Sequence, residues 1–162
     1  MSAKVTTVLF LCTGNSARSI MAEAIMNEEG AGKFKGFSAG STPVGSVNPF
    51  ALELLKARGY RMEGLHSKSW DEFSGSLAPE IDFVFTVCDN AAGEICPVWP
   101  GRPMTAHWGL RDPAAAVGSD ADKRAAFDEI RGRVRAFMKL PLETLDRRAL
   151  QRALEALAEK VH

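Results

Sequence analysis

The chain has 162 residues, 46% of them hydrophobic and 25% charged, enough apolar material for one domain with a sizeable core. Twenty Lys and Arg residues balance twenty Asp and Glu residues, for a formal net charge of +0. That balance excludes the global positive field that draws a protein to nucleic acid or anionic lipid.

In chain order, Val5 to Leu11 (VTTVLFL) has the β-branched, leucine-rich character of a strand buried on both faces. The run is too short for a membrane span and lacks the small-residue cleavage site of a signal peptide, so the expected location is the cytoplasm. Cys12 to Arg18 (CTGNSAR) forms a short polar loop, and Ser19 to Glu29 reads as a helix stopped by Gly30 to Gly32. Lys33 to Ala39 is a second strand. Asn48 caps a helix that opens with Pro49, runs through Arg58 with Phe50, Leu52, Leu54 and Leu55 on its buried face, and closes at Gly59. Residues 61–80 are polar and irregular, with Ser69 capping a short helix around Trp70 to Phe73. Ile81 to Val87 is a third buried strand, and Cys88 to Pro103 is too rich in Gly, Pro and Asn for a long helix. Met104 to Trp108 is the last strand and Asp112-Pro113 follows it. Asp120 opens an amphipathic helix to Met138, broken before Pro141, and Leu142 to Val161 reads as a final helix.

Strands alternating with helices predict an α/β domain over residues 1–162 with a parallel sheet of about four strands. Ligands of such sheets bind beyond the carboxyl ends of the strands. That edge collects Cys12, Ser38, Cys88 and Asp112.

The three cysteines, Cys12, Cys88 and Cys96, are odd in number and widely spread, which argues against a disulfide framework. There is no CxxC, and His66, His107 and His162 lack ligand spacing, so no metal site is expected. The loop is a different matter. Strand, loop and helix N-terminus present a ring of backbone N–H groups that binds an oxyanion. Cys12 adds a nucleophile and Arg18 a planar, bidentate counter-charge. The loop amides, the helix dipole and Arg18 favour the thiolate.

CTGNSARS after a hydrophobic strand resembles the nucleophile loop of the low-molecular-weight protein tyrosine phosphatase superfamily, and Ser38-Ala39-Gly40 and Asp112-Pro113 fit it too. TVCDNAAGEICPVWPG followed by AHWGLRDPA resembles, more narrowly, the arsenate reductase branch. The resemblance implies a three-layer, single-domain α/β fold and reduction of arsenate to arsenite. It makes Cys12 the nucleophile, with Thr13, Gly14, Asn15, Ser16, Ala17, Arg18 and Ser19 as the substrate loop. Arg18 would grip the equatorial oxygens, Asn15 with Ser38 would hold the loop shape, and Ser19 would stabilise the thiolate. Asp112 would be the general acid. Cys88 would attack Cys12 as arsenite leaves, and Cys96 would attack Cys88, each by thiolate-on-disulfide exchange. Reaching Cys96 implies a mobile segment at Asp89 to Ile95. No bound cofactor is implied; the external reductant is thioredoxin or glutathione with glutaredoxin, phosphate and sulfate are competing oxyanions, and the chain is a monomer.

Three departures from the family stand out. Ala17 replaces a further loop Cys of many relatives, and Ala114-Ala115 replaces the aromatic wall of the tyrosine phosphatases. Seven residues separate Cys88 from Cys96, where some arsenate reductases have fewer, so direct resolution of Cys88 by an external thiol such as glutathione stands beside the internal step. The alternatives are a phosphatase acting on phosphoesters, with Cys88 and Cys96 as bystanders, and a non-enzymatic oxyanion-binding or redox-sensing module. Other residues have plainer readings. Trp99, His107 and Trp108 are packing residues, and Arg131 to Arg135 is a solvated helix face. Glu23 lies on the first helix within reach of Asn15 and Ser38, where the resemblance allows a monovalent cation, and its plainer reading is an exposed helical carboxylate.

Overall fold

The computed structural model describes residues 5–12, 15, 18–41, 43–62, 64–73, 80–87, 104–108, 120–142 and 144–159. The alternation of strand and helix resolves into β1 (Thr6–Leu11), α1 (Arg18–Glu29), β2 (Phe34–Ala39), α2 (Pro49–Ala57), a 3-10 turn (Trp70–Phe73), β3 (Phe83–Thr86), β4 (Met104–His107), α3 (Asp120–Met138) and α4 (Arg147–Glu159). All four strands are parallel, in the order β2-β1-β3-β4. The chain leaves β1 on one side to form β2 and returns to form β3 on the other. The sheet therefore reverses direction between β1 and β3, where open α/β sheets form their ligand crevice.

Alternation along the strands divides the core. Val8, Phe10, Phe83 and Phe85 join α1, α2, α3 and α4 in one apolar cluster. Leu9, Leu11 and Val84 face the other way and pack with Ile81, Phe73 and Trp70 of the 3-10 turn. Helices, sheet and the covering turn make three layers. Trp108 is 2% exposed and stacks on Phe85 at 4.1 Å between ring centroids, so its role is packing, as its sequence context suggests.

α1 meets β2 most closely at Gly36, where a Cβ would stand 3.2 Å from the Glu23 carbonyl oxygen and 3.3 Å from Met26 Cβ. Gly36 lies on an edge strand, and the Asn27 side chain satisfies both of its outward backbone groups. Its Oδ1 accepts from Gly36 N at 2.7 Å and its Nδ2 donates to Gly36 O at 3.1 Å. This close approach brings Glu23, one helical turn before Asn27, over Ser38, two residues after Gly36.

Three sequence expectations need correction. The last helix begins at Arg147, not Leu142: Asp146 caps it by accepting from Ala149 N at 2.7 Å, and Thr144 closes a turn onto Pro141 O. Arg131 to Arg135 is not wholly solvated. Arg133 shares the inward stripe of Ile130 and Phe137, is 5% exposed, and lies 5.9 Å from the Trp108 ring centroid. Glu23 is buried rather than exposed.

Gly36→Ala should push α1 off β2 and lower stability by about 1–3 kcal/mol, read as a shift in the urea midpoint at unchanged slope.

Candidate active site

The carboxyl ends of the strands lie level. Cys12 N donates to Ala39 O at 3.1 Å, Val87 N to Leu11 O at 2.9 Å, and Trp108 N to Thr86 O at 2.8 Å. Cys12 thus leaves β1 at the reversal point of the sheet, and it is buried, with 7% exposure. α1 starts at Arg18, so the N–H groups of its first turn, which have no acceptor within the helix, face back toward the loop. No acidic residue sits in that first turn to compete with an anion for the positive helix end.

Asn15 is the described residue inside the loop. It is fully buried and has φ 45°, in the left-handed region that Asn tolerates better than most residues. Its side chain ties two segments together: Nδ2 donates to Ser19 Oγ at 2.9 Å, and Oδ1 accepts from Lys68 N at 2.8 Å. Because the Ser19 oxygen accepts from Asn15, its hydroxyl proton is left to donate elsewhere.

Lys68 is held at every polar atom. Its carbonyl accepts from Gly40 N at 2.9 Å, beside a parallel bridge between Gly40 and Ser69. Its ammonium donates to His66 O at 2.8 Å and lies 3.8 Å from Glu23 Oε1, with the residue only 8% exposed. Ser38 Oγ donates to the same Glu23 oxygen at 2.5 Å. Burial pushes the Glu23 carboxyl above its ordinary 4.5, against the opposing pull of Ser38, Lys68, Lys35 and His66. Burial likewise pulls the Lys68 ammonium below its ordinary 10.5, against Glu23 and Glu72.

Of the residues singled out in the sequence, Cys12, Asn15, Arg18, Ser19 and Ser38 come together at this edge. Asn15 bonds Ser19 and Lys68, while Ser38 bonds Glu23. Thr13, Gly14, Ser16, Ala17, Cys88, Cys96 and Asp112, and the segment Asp89 to Ile95, lie outside the described residues. Sequence reasoning missed Lys68; it set Glu23 within reach of Ser38, as the structure has it, but read the carboxylate as exposed. The available signal was the match of Glu23 and Asn27, four apart on a helix, to Gly36 and Ser38, two apart on a strand. Lys68 had none, being one charge in an irregular polar stretch.

Among the described residues no group of three His, Cys, Asp or Glu side chains could hold a metal ion. A monovalent cation beside Glu23 does not fit this arrangement either. The Lys68 ammonium already brings a positive charge to that carboxylate, and a second cation would meet its repulsion.

A buried cysteine at the reversal point of an open parallel sheet, with a buried loop residue and an arginine at the next helix start, sets an α/β protein's ligand crevice at the strand ends. The chain belongs to the low molecular weight phosphotyrosine protein phosphatase family, whose sequence model matches residues 7–155. It is similar to the arsenate reductase of Halalkalibacterium halodurans, at 38% identity over 85% of this chain and 96% of that one. Among solved structures it resembles an arsenate reductase in the phosphate binding state, with TM-score 0.67 and 27% identity over 81% of this chain and 95% of the other. It also resembles the thioredoxin-dependent arsenate reductase of Corynebacterium glutamicum, with TM-score 0.63 and 26% identity over 86% of this chain. This chain spans 63% of that protein's length.

The Glu23 shift has a definite sign. A carboxyl whose folded pKa lies above its unfolded value adds stability below the unfolded pKa and loses it as pH rises through the folded one. Stability should therefore decline upward from about pH 4.5 through that interval. Glu23→Gln should flatten this part of the curve, measured by denaturant unfolding at stepped pH.

Proposed function

We propose that the protein reduces arsenate to arsenite, with Cys12 as nucleophile and Cys88 as the second thiol. Its similarity to arsenate reductases over most of the chain supports the substrate. The observation that carries the two-thiol chemistry is the bond from Val87 N to Leu11 O at 2.9 Å. Cys12 and Cys88 are the residues that follow this bonded pair in sequence. Neighbouring strands run about 4.8 Å apart, and a disulfide needs its Cα atoms within about 7 Å.

In the first step the Cys12 thiolate attacks arsenic in the anion held by the loop from Thr13 to Ser19. Arg18 takes the equatorial oxygens, and Ser19 steadies the sulfur with the proton that Asn15 leaves free. A sulfur–arsenic bond forms and an arsenic–oxygen bond breaks. Asp112 gives the departing oxygen its proton, so that it leaves as water. In the second step the Cys88 thiolate attacks the Cys12 sulfur. The disulfide forms, the sulfur–arsenic bond breaks and its electron pair goes to arsenic, which falls from the +5 to the +3 state and leaves as arsenite. Two thiols have lost two electrons and arsenic has gained them. Attack by Cys96 on Cys88 then releases Cys12 and passes the oxidation to a Cys88–Cys96 disulfide. External thioredoxin, or glutathione with glutaredoxin, reduces that bond. The name of the Corynebacterium glutamicum relative favours thioredoxin. The chain acts as one domain and a monomer in the cytoplasm, where thiols stay reduced.

Hydrolysis of a phosphoester shares the first step and needs only water for the second. Cys88→Ser separates the two: arsenite formation under thioredoxin or glutathione should stop while hydrolysis of p-nitrophenyl phosphate continues. Arsenite formation that survives the change would contradict the relay. Asp112→Asn should slow both reactions by about 10²–10⁴-fold, because each leaving oxygen needs its proton.

A further inference from the structure

Lys68 is bonded through all its polar atoms, and each partner belongs to a different part of the site. The N–H goes to Asn15 inside the nucleophile loop, at 2.8 Å. The carbonyl takes the N–H of Gly40 just beyond β2, at 2.9 Å. The ammonium stands 3.8 Å from Glu23 of α1, whose carboxylate is also the acceptor for Ser38 of β2. Its remaining contact, His66 O at 2.8 Å, fixes the bend of its own segment. With Glu23 at 9% exposure and Lys68 at 8%, neither charge can look to bulk water for relief. Each depends on the other. If the ammonium is removed, the Glu23 carboxylate is left buried with Ser38 as its hydrogen-bond donor. Taking a proton or drawing in water would then loosen the contact that holds residue 68 against Asn15.

We propose that Lys68 is a positioning residue for the chemistry at Cys12: its ammonium supplies from the chain itself the positive charge that a bound monovalent cation would bring to Glu23, and so holds Asn15 and the loop in the anion-binding shape. This rests on the reading of the Cys12 loop as an oxyanion site. It adds that the site is complete without potassium or sodium. A cavity of the right charge should therefore appear only when the side chain is cut back.

The test is binding of inorganic phosphate by isothermal titration, in tetramethylammonium chloride and in potassium or ammonium chloride at equal ionic strength, with thermal melts as a check on folding. Wild type should bind phosphate equally in all three salts. Lys68→Met, close in shape but uncharged, should lose at least about tenfold in affinity, and Lys68→Arg should keep most of it. Lys68→Ala should lose as much as Lys68→Met in tetramethylammonium and recover several-fold in potassium or ammonium, whose small ions fit the vacated space. Should Lys68→Ala not fold, the contrast between Met and Arg decides alone. Wild-type affinity in Lys68→Met, or a folded Lys68→Ala that no small cation rescues, would overturn the inference. A wild type that binds no phosphate in any salt would instead overturn the reading of the loop itself.

Discussion

The site depends on one residue held in a conformation that few side chains tolerate. Asn15 lies at φ 45°, fully buried, between Cys12 and the helix start. A backbone in this region costs on the order of 1–3 kcal/mol for a residue other than Gly, and it persists only where the surroundings over-determine it. Here the side chain does so: one amide end holds Ser19 and the other holds the backbone of Lys68. The loop shape is thereby referred to α1 on one side and to the segment lying against β2 on the other. A glycine would remove the strain and with it both anchors.

Those anchors hold because α1 and β2 are themselves tightly joined. Gly36 allows the helix to approach, Asn27 pins the edge strand at that level, and Glu23 bonds Ser38 one step nearer the site. The Glu23–Lys68 pair is a weak source of net stability, since both charges lose water on burial. Its directionality is what the site uses. An apolar pair of similar volume would fill the space without specifying where residue 68 must sit.

Much of this was legible in the sequence because each signal was local. β1 reads from its unbroken apolar run, α2 from Asn48 and Pro49, and the 3-10 turn from Ser69. All three survive in the structure within a residue or two. The parallel sheet follows from the alternation, and the gathering of Cys12 and Ser38 at one edge follows from the sheet. What escaped was non-local. Glu23 looks exposed until α1 is known to lie over Gly36, and Lys68 is anonymous until residues 66–70 are known to bridge to Gly40. Arg133 escaped for the same reason: its burial depends on which stripe of α3 meets Phe85 and Trp108. The late start of α4 is a local miss, where the Asp146 cap lay within an apolar-rich run.

In the proposed function the Cys12 loop captures an oxyanion whether the chemistry ends in hydrolysis or reduction. The pocket reads shape and charge, which phosphate and arsenate share. In the proposed reaction selectivity for arsenic arises after capture, when the covalent intermediate meets either water or the Cys88 thiolate. The direct measurement is a single turnover of the reduced protein with stoichiometric arsenate, without external reductant, quenched in acid and mapped for disulfides by peptide mass. The account predicts one arsenite released per chain and a disulfide containing Cys88, joined to Cys12 or passed on to Cys96. Arsenite released with Cys88 still a free thiol would contradict it.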